Sequence, residues 1–427
     1  MNQRLIALAL AMTFGLALGA NIVSAEDGQP ATAIAAAAEA TEKKEMAGTT
    51  ETEAPKPDAE GTMSLLNLRS RMLEHYYPLL ALEENIKTLE EWDYKRTEDE
   101  LRDKLNDTAN QQWQYMTSIP MMGSMMAASL QPQYDAYRDA FDDVRDGKLQ
   151  KDNEGVKHQL RNLQNQTVIV AESLYITFKG LEAQDASLTR TIAALGRTEQ
   201  EMTLREKLGQ ISALQLQQVQ LGAAQAESGQ KTLRMNMDNI LMQLKAMSGI
   251  ELDQPLTLAS LPTVTAERIE KMSLEEDLAS AQEASYELYD AKKTYDDAKE
   301  AYDDALEKYG IYSKKNEWMQ AKHTWQAAQY TYENAKQSYE LKFRTLYAQV
   351  KDAAQIIAIK REALAAQEKS YQASALKYKQ GTISANELAN AGDELAKVKD
   401  ELASAERDLF TQYRSYQWAV QYGILNS

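Results

Sequence analysis

From Thr263 to Ser427 the sequence contains no proline, and glycine occurs there only at positions 310, 381, 392 and 423. Proline breaks a helix interior, and glycine costs about 1 kcal/mol there relative to alanine. The stretch is otherwise rich in Ala, Glu, Lys, Gln, Leu and Tyr, so long helices are the default expectation. The apolar spacing agrees: Tyr339, Phe343, Leu346, Val350, Ala353 and Ile357 follow alternating steps of four and three. Leu364, Tyr371 and Tyr378 continue the series at sevens. This is a heptad seam, the pattern of helices that supercoil around neighbours. From about Lys314 to Gln380 it predicts a single rod of roughly 100 Å at ~1.5 Å per residue.

The glycines punctuate the rod. Gly310 is expected to end one helix before the next begins, and Gly381 to end the long one, because a helix C-terminus favours a left-handed residue. Ser384 then suits the N-cap of a returning helix, with Glu387 three residues on, which makes a capping box. "KQGTISANEL" is thus a tight turn between antiparallel helices. "KLGQISALQL" places Gly209, Ile211, Ser212 and Gln215 in the same order, 172 positions before Gly381, Ile383, Ser384 and Glu387.

The repetition extends beyond the turns. Leu174-Tyr175 and Leu346-Tyr347 are also 172 apart, and Ser248-Gly249-Ile250 precedes Tyr422-Gly423-Ile424 by 174. Tyr77 and Tyr286 are expected to mark the start of each unit. The fold class expected is all-α, with two tandem long helical hairpins over residues 61–262 and 263–427. The connector "ELDQPLTLASLPT", with Leu256, Leu258 and Leu261 between Pro255 and Pro262, reads as extended.

Composition narrows the function. A formal net charge of −17 argues against nucleic-acid binding, which needs a basic face. There is no cysteine, hence no disulfide, thiol catalysis or Cys-based zinc site. The three histidines, His75, His158 and His323, are scattered. No nucleophile–base pair, phosphate loop or metal-ligand spacing is evident, so no catalytic residue, metal or cofactor is expected. The N-terminus has Arg4, an apolar run from Leu5, and Val23-Ser24-Ala25 as a small-residue cleavage site. It reads as a secretory signal over residues 1–25, an uncleaved anchor being the alternative. Either way the body lies outside the cytoplasm. Residues 26–60 hold almost no large apolar side chain and read as a disordered linker.

The signal, the tandem hairpins, the two tip sequences and "SGIELDQPLTL" closing the first repeat resemble the TolC-like outer-membrane efflux protein family. The resemblance covers residues 165–262 and 277–424. It implies a homotrimer whose protomers contribute helices to a hollow α-barrel, which is capped by a β-barrel in the outer membrane. It also implies a passive export duct that works with a periplasmic adaptor protein and an inner-membrane transporter. On this resemblance Gly209, Ile211, Ser212, Gly381, Ile383 and Ser384 are adaptor-contact residues. The family narrows its tunnel with acidic residues six and nine positions after the second tip glycine. Here those positions hold Glu387 and Asn390, with Gln215 at the nearer position of the first repeat. One acidic ring is implied in place of two, and Glu387 also fits the capping role.

The sequence departs from that family where membrane strands belong, between the short and long helices of each repeat. A spanning strand needs about nine to eleven residues of alternating character. Only 95 positions separate Tyr286 from Gly381, and nearly all read as helix. The first repeat has 132 positions from Tyr77 to Gly209, and the extra material is a Met-rich insertion near residues 113–150, without alternation. Its Met116, Met121, Met122, Met125 and Met126 fit three readings: Cu(I) ligation, an apolar loop entering a membrane with Trp113 and Tyr115, or an irregular cap filled by flexible side chains. The last is the expectation. Tyr295, Tyr302 and Tyr309, seven apart, are expected to pack in a helical seam, and the acid pairs Asp296-Asp297 and Asp303-Asp304 to form a solvated face. The alternative to a duct is a non-conducting coiled-coil scaffold of the cell envelope, which the missing strands would suit.

Overall fold

The computed structural model describes residues 58–118, 122–310 and 316–425. The expected signal and nearly all of the expected linker lie outside the described residues. In chain order the elements are β1 (Thr62–Met63), α1 (Leu65–His75), α2 (Tyr77–Glu90), α3 (Tyr94–Ser118), α4 (Gly123–Ser129), α5 (Gln131–Arg145), α6 (Lys148–Lys207) and α7 (Ala213–Met247). They continue with β2 (Thr257–Leu258), α8 (Ala266–Glu270), α9 (Leu274–Ala284), α10 (Tyr286–Tyr309), α11 (Asn316–Lys379) and α12 (Ala385–Tyr422). The fold is all-α. Among the described residues the only strands are the two-residue pair β1 and β2, parallel with Thr62 opposite Thr257 and Met63 opposite Leu258.

The heptad seam accounts for α11, which runs 64 residues. Tyr339, Phe343, Val350, Ala353 and Ile357 are buried and Leu346 packs against them, so the seam faces the core. The helix ends at Lys379, where Gly381 takes φ +72°. In the first repeat α6 is nearly as long, at 60 residues. The tyrosine stripe on α10 packs as expected: Tyr295 stacks on Tyr332, and Tyr302 stacks on Trp325 with centroids 5.1 Å apart.

The internal repeat reaches further toward the N-terminus than the tip spacing reveals. α1 and α9 are both 11 residues long and begin 209 positions apart, as do α2 and α10. The matching ends close in matching ways. A Cβ on Gly249 would lie 2.4 Å from the His75 side chain, and one on Gly423 would lie 2.2 Å from the Ser285 backbone. In each repeat, therefore, the end of the returning helix presses on the joint between the two short helices, and only glycine allows that approach. The connector is extended, as expected, and Leu256 and Leu258 are buried. The Tyr175 hydroxyl sits within hydrogen-bond reach of the Met63 and Ala259 carbonyls, at 2.9 and 2.7 Å, and ties α6 to both strands. The buried apolar residues form two cores, one around Leu68, Tyr175 and Leu244, which also takes in Phe410 and Trp418 of α12, the other around Ala281, Phe343 and Ala419.

One expectation is corrected. The Met-rich insertion is not an irregular cap: apart from Ile119, Pro120 and Met121, outside the described residues, it is almost wholly helical, as α3, α4 and α5. Pro132 sits at the start of α5, where a missing N–H leaves no intrahelical bond unmade. Gly123 begins α4 against the backbone of α3; a Cβ there would lie 2.0 Å from the Tyr115 carbonyl oxygen.

Candidate functional site

The two tips are built by the same hydrogen bonds. At the end of α6 the Gly209 N–H donates to the Glu206 carbonyl at 2.8 Å, and the Gln210 N–H to the Arg205 carbonyl at 2.8 Å. At the end of α11 the Gly381 N–H donates to Tyr378 at 2.9 Å, and the Thr382 N–H to Lys377 at 3.0 Å. Both are Schellman motifs, in which a left-handed residue lets two amides reach back to carbonyls the helix leaves free. Gly209 and Gly381 supply that residue, at φ +71° and +72°. No atom lies within 4 Å of a Cβ built on either, so the requirement is conformational and not spatial.

The returning helices start alike. The Gln215 N–H donates to Ser212 Oγ at 3.3 Å while the Ser212 N–H donates to Gln215 Oε1 at 2.9 Å. The Glu387 N–H donates to Ser384 Oγ at 3.2 Å, and the Ser384 N–H to Glu387 Oε2 at 2.7 Å. Each capping box satisfies two amides that would otherwise have no partner, for about 1 kcal/mol. The Ser384 amide also holds the Glu387 carboxyl below the usual carboxylate range, so it stays ionised at neutral pH. Its contribution to the cap is complete above its unfolded value and is lost only as pH falls through the lowered one.

Of the sequence-predicted residues, Gly209, Ser212, Gly381 and Ser384 are exposed, and Ile211 and Ile383 are half-buried in equivalent places. Gln215 and Glu387 are exposed and engaged in capping, and Asn390 is exposed one turn further along α12. Leu204 and Leu376, again 172 apart, are both exposed large apolar residues one turn before the tips.

The tips stand side by side because α6 of the first hairpin packs against α12 of the second. Arg190 pairs with Asp400 and Arg197 with Asp393. Both partners step by seven in opposite directions, which fixes an antiparallel register. At the tip end Asn386 Nδ2 donates to Glu201 Oε2 at 3.2 Å, and Glu201 is also paired with Arg205. At the other end Glu172, 3% exposed, receives two bonds from Arg414, at 2.6 and 2.8 Å, and one from the Trp418 indole N–H at 2.8 Å. The Arg414 guanidinium lies over the Trp418 ring at 5.3 Å. These cross-hairpin residues were not among the sequence candidates. The seven-residue spacing of Arg190 and Arg197 against Asp393 and Asp400 was the signal available for them.

No protein-family model matches the chain, and no curated protein matches it. Solved structures do. The chain is similar in fold to the outer-membrane channel OprN, with a TM-score of 0.51 and 13% identity, over 94% of this chain and 99% of that one. It is similar to CusC, studied for folding and transmembrane channel formation, with a TM-score of 0.51 and 14% identity, over 84% of this chain and 96% of that one. At these identities the shared property is the fold. The chain has the TolC-like fold, as the repeated tips imply.

Proposed function

We propose that this chain is the protomer of a TolC-like export duct of the cell envelope, a homotrimer resident at the outer membrane. It is a passive channel that works with a periplasmic adaptor protein and an inner-membrane transporter. The observation that carries the reading is the pair of hydrogen-bond-identical tips, held side by side by the α6–α12 ion pairs, on a fold shared with outer-membrane channels.

The order of the long helices supports a ring. α7 packs on α6, α6 on α12, and α12 on α11, which leaves α7 and α11 at opposite edges of the layer. Both edges carry exposed apolar side chains. Leu214, Leu221, Met235 and Met242 recur on one face of α7 at multiples of seven. Met319, Tyr330, Leu341 and Ile359 share the face of α11 opposite its buried seam. A lone protomer leaves both stripes in water; a closed ring of copies covers each with the other. In this reading Gly209, Ile211, Ser212, Gly381, Ile383 and Ser384 form the adaptor-docking end, with Leu204 and Leu376 as apolar contacts. Glu387 contributes one acidic side chain per protomer near the tunnel mouth, with Asn390 and Gln215 as its neutral neighbours.

Negative-stain electron microscopy of the purified protein in mild detergent tests the duct. End views are expected to show a ring with a stain-filled centre, and side views a length of about 100 Å or more from the helix rise. Thin rods without a lumen would establish the alternative, a scaffold of helical hairpins that conducts nothing.

The tips are tested separately. Gly209→Pro and Gly381→Pro each remove one amide donor and force φ to about −65° where a positive value is needed. Each is expected to weaken adaptor binding at least tenfold in a titration while helical circular dichroism stays close to that of the parent. Adaptor affinity unchanged in both would remove the tips from the docking surface.

A further inference from the structure

Between Asp107 and Asp135 lie 27 residues without one charged side chain, in a chain whose residues are 26% charged. The gap takes in the last turns of α3, all of α4 and the first turn of α5. The charge boundary falls at one level on both long helices of the insertion. Gln112 Nε2 donates to Gln131 Oε1 at 3.2 Å, and the Arg102 guanidinium lies 5.6 Å from the Phe141 ring centroid. Both contacts obey one antiparallel register, which sets Asp107 within a residue of the height of Asp135. Below that level the stem is dense with solvated ion pairs, among them Arg96–Glu100, Arg102–Glu98 and Arg145–Asp142.

Above it the side chains are graded. Asn110, Gln111 and Gln112 come nearest the stem, then Trp113 and Tyr115 with Gln114 between them, then Met116, Met122 and Met125 beside Thr117 and Ser118. Trp113 is 66% exposed, Met116 64%, Met122 58% and Met125 72%. Gly123 also lets α4 lie directly on the α3 backbone at Tyr115.

We propose that this apex inserts into one leaflet of a lipid bilayer, with Trp113 at headgroup level and Met116, Met122 and Met125 at the acyl boundary. Polar amides, then aromatic rings, then apolar side chains is the order in which a bilayer changes from headgroup to hydrocarbon. The uncharged end of α3, from Thr108 to Ser118, reaches roughly 16 Å at ~1.5 Å per residue. One leaflet supplies half of a hydrocarbon core about 30 Å thick. Among the described residues no helix is long and apolar enough to cross a membrane, which suits entry from one side. A protein partner would tolerate charges around its rim. A charge boundary at a single height on two helices suits a planar partner instead. The net charge of −17 makes a zwitterionic surface the better host than an anionic one. The proposal does not depend on conduction, since a scaffold would use the same anchor.

The test uses the exported full chain and phosphatidylcholine vesicles, with and without brominated acyl chains. The parent contains 5 tryptophans, so Trp113→Phe supplies the difference signal. Brominated vesicles are expected to quench the fluorescence assigned to Trp113, a readout independent of the apolar N-terminal segment. Absence of that quenching overturns the proposal. In a second variant, Met122→Glu with Met125→Glu, both changes are at exposed positions. It is expected to keep the parent's helix content and to lower vesicle partitioning at least tenfold. Partitioning within twofold of the parent would also overturn it. So would a change of oligomeric state in sedimentation with vesicle binding retained, which would make the apex a contact between copies.

Discussion

Replacing Arg414 with methionine is expected to lower the unfolding free energy by about 3–5 kcal/mol, the usual cost of removing one partner from a buried ion pair. Glu172 is 3% exposed, and two of its three hydrogen bonds come from Arg414. The variant leaves a carboxylate in the core with only the Trp418 indole N–H as donor. Adding Glu172→Gln should recover much of the loss at neutral pH, because a neutral amide is cheaper to bury than an unpaired charge. Urea unfolding of the three proteins at neutral pH checks this. A loss below about 1 kcal/mol would mean that solvent already screens the pair.

The long helices, the tips and the seam were legible because each is written locally. The heptad of Tyr339 to Ile357 and the Gly–Ser spacing of the turns need no knowledge of distant residues. The equivalence of α1 with α9 was harder to see. It holds at 209 positions and not at 172, because the insertion in the first repeat shifts everything before it. Ser64 and Ser273, both preceding a short helix, and Met63 and Met272, both buried, mark it once the shift is known. The helical state of the insertion was obscured by Pro120, Gly123 and Pro132, which read as loop formers. Pro132 in fact starts a helix, and Gly123 serves a close backbone approach. The cross-hairpin contacts were least legible. Arg190 and Asp400 are 210 positions apart in a charge-rich chain, and only the fold selects that pair from many.

The apolar stripes on the two edge helices lead to the other large effect. Leu221→Glu with Met235→Glu is expected to abolish the ring. Leu221 is 59% exposed in the protomer and Met235 57%, so neither change disturbs the protomer's own core. In a ring both positions are covered by the α11 edge of the next copy. Covering a leucine or methionine stabilises by about 1.5–3 kcal/mol, and an unpaired carboxylate in its place costs several more. Two substitutions recur at every interface of a closed assembly, so their effect multiplies with each contact. The α11 edge supplies the reciprocal variant, Leu341→Glu with Ile359→Glu, which should fail in the same way. Sedimentation velocity at micromolar concentration is expected to show the parent as a trimer and both variants as monomers with unchanged helical circular dichroism. A trimer that survives both pairs of charges would mean that the ring, if one forms, closes through a different edge. The heptad face of α7 would then have to meet the adaptor or the lumen.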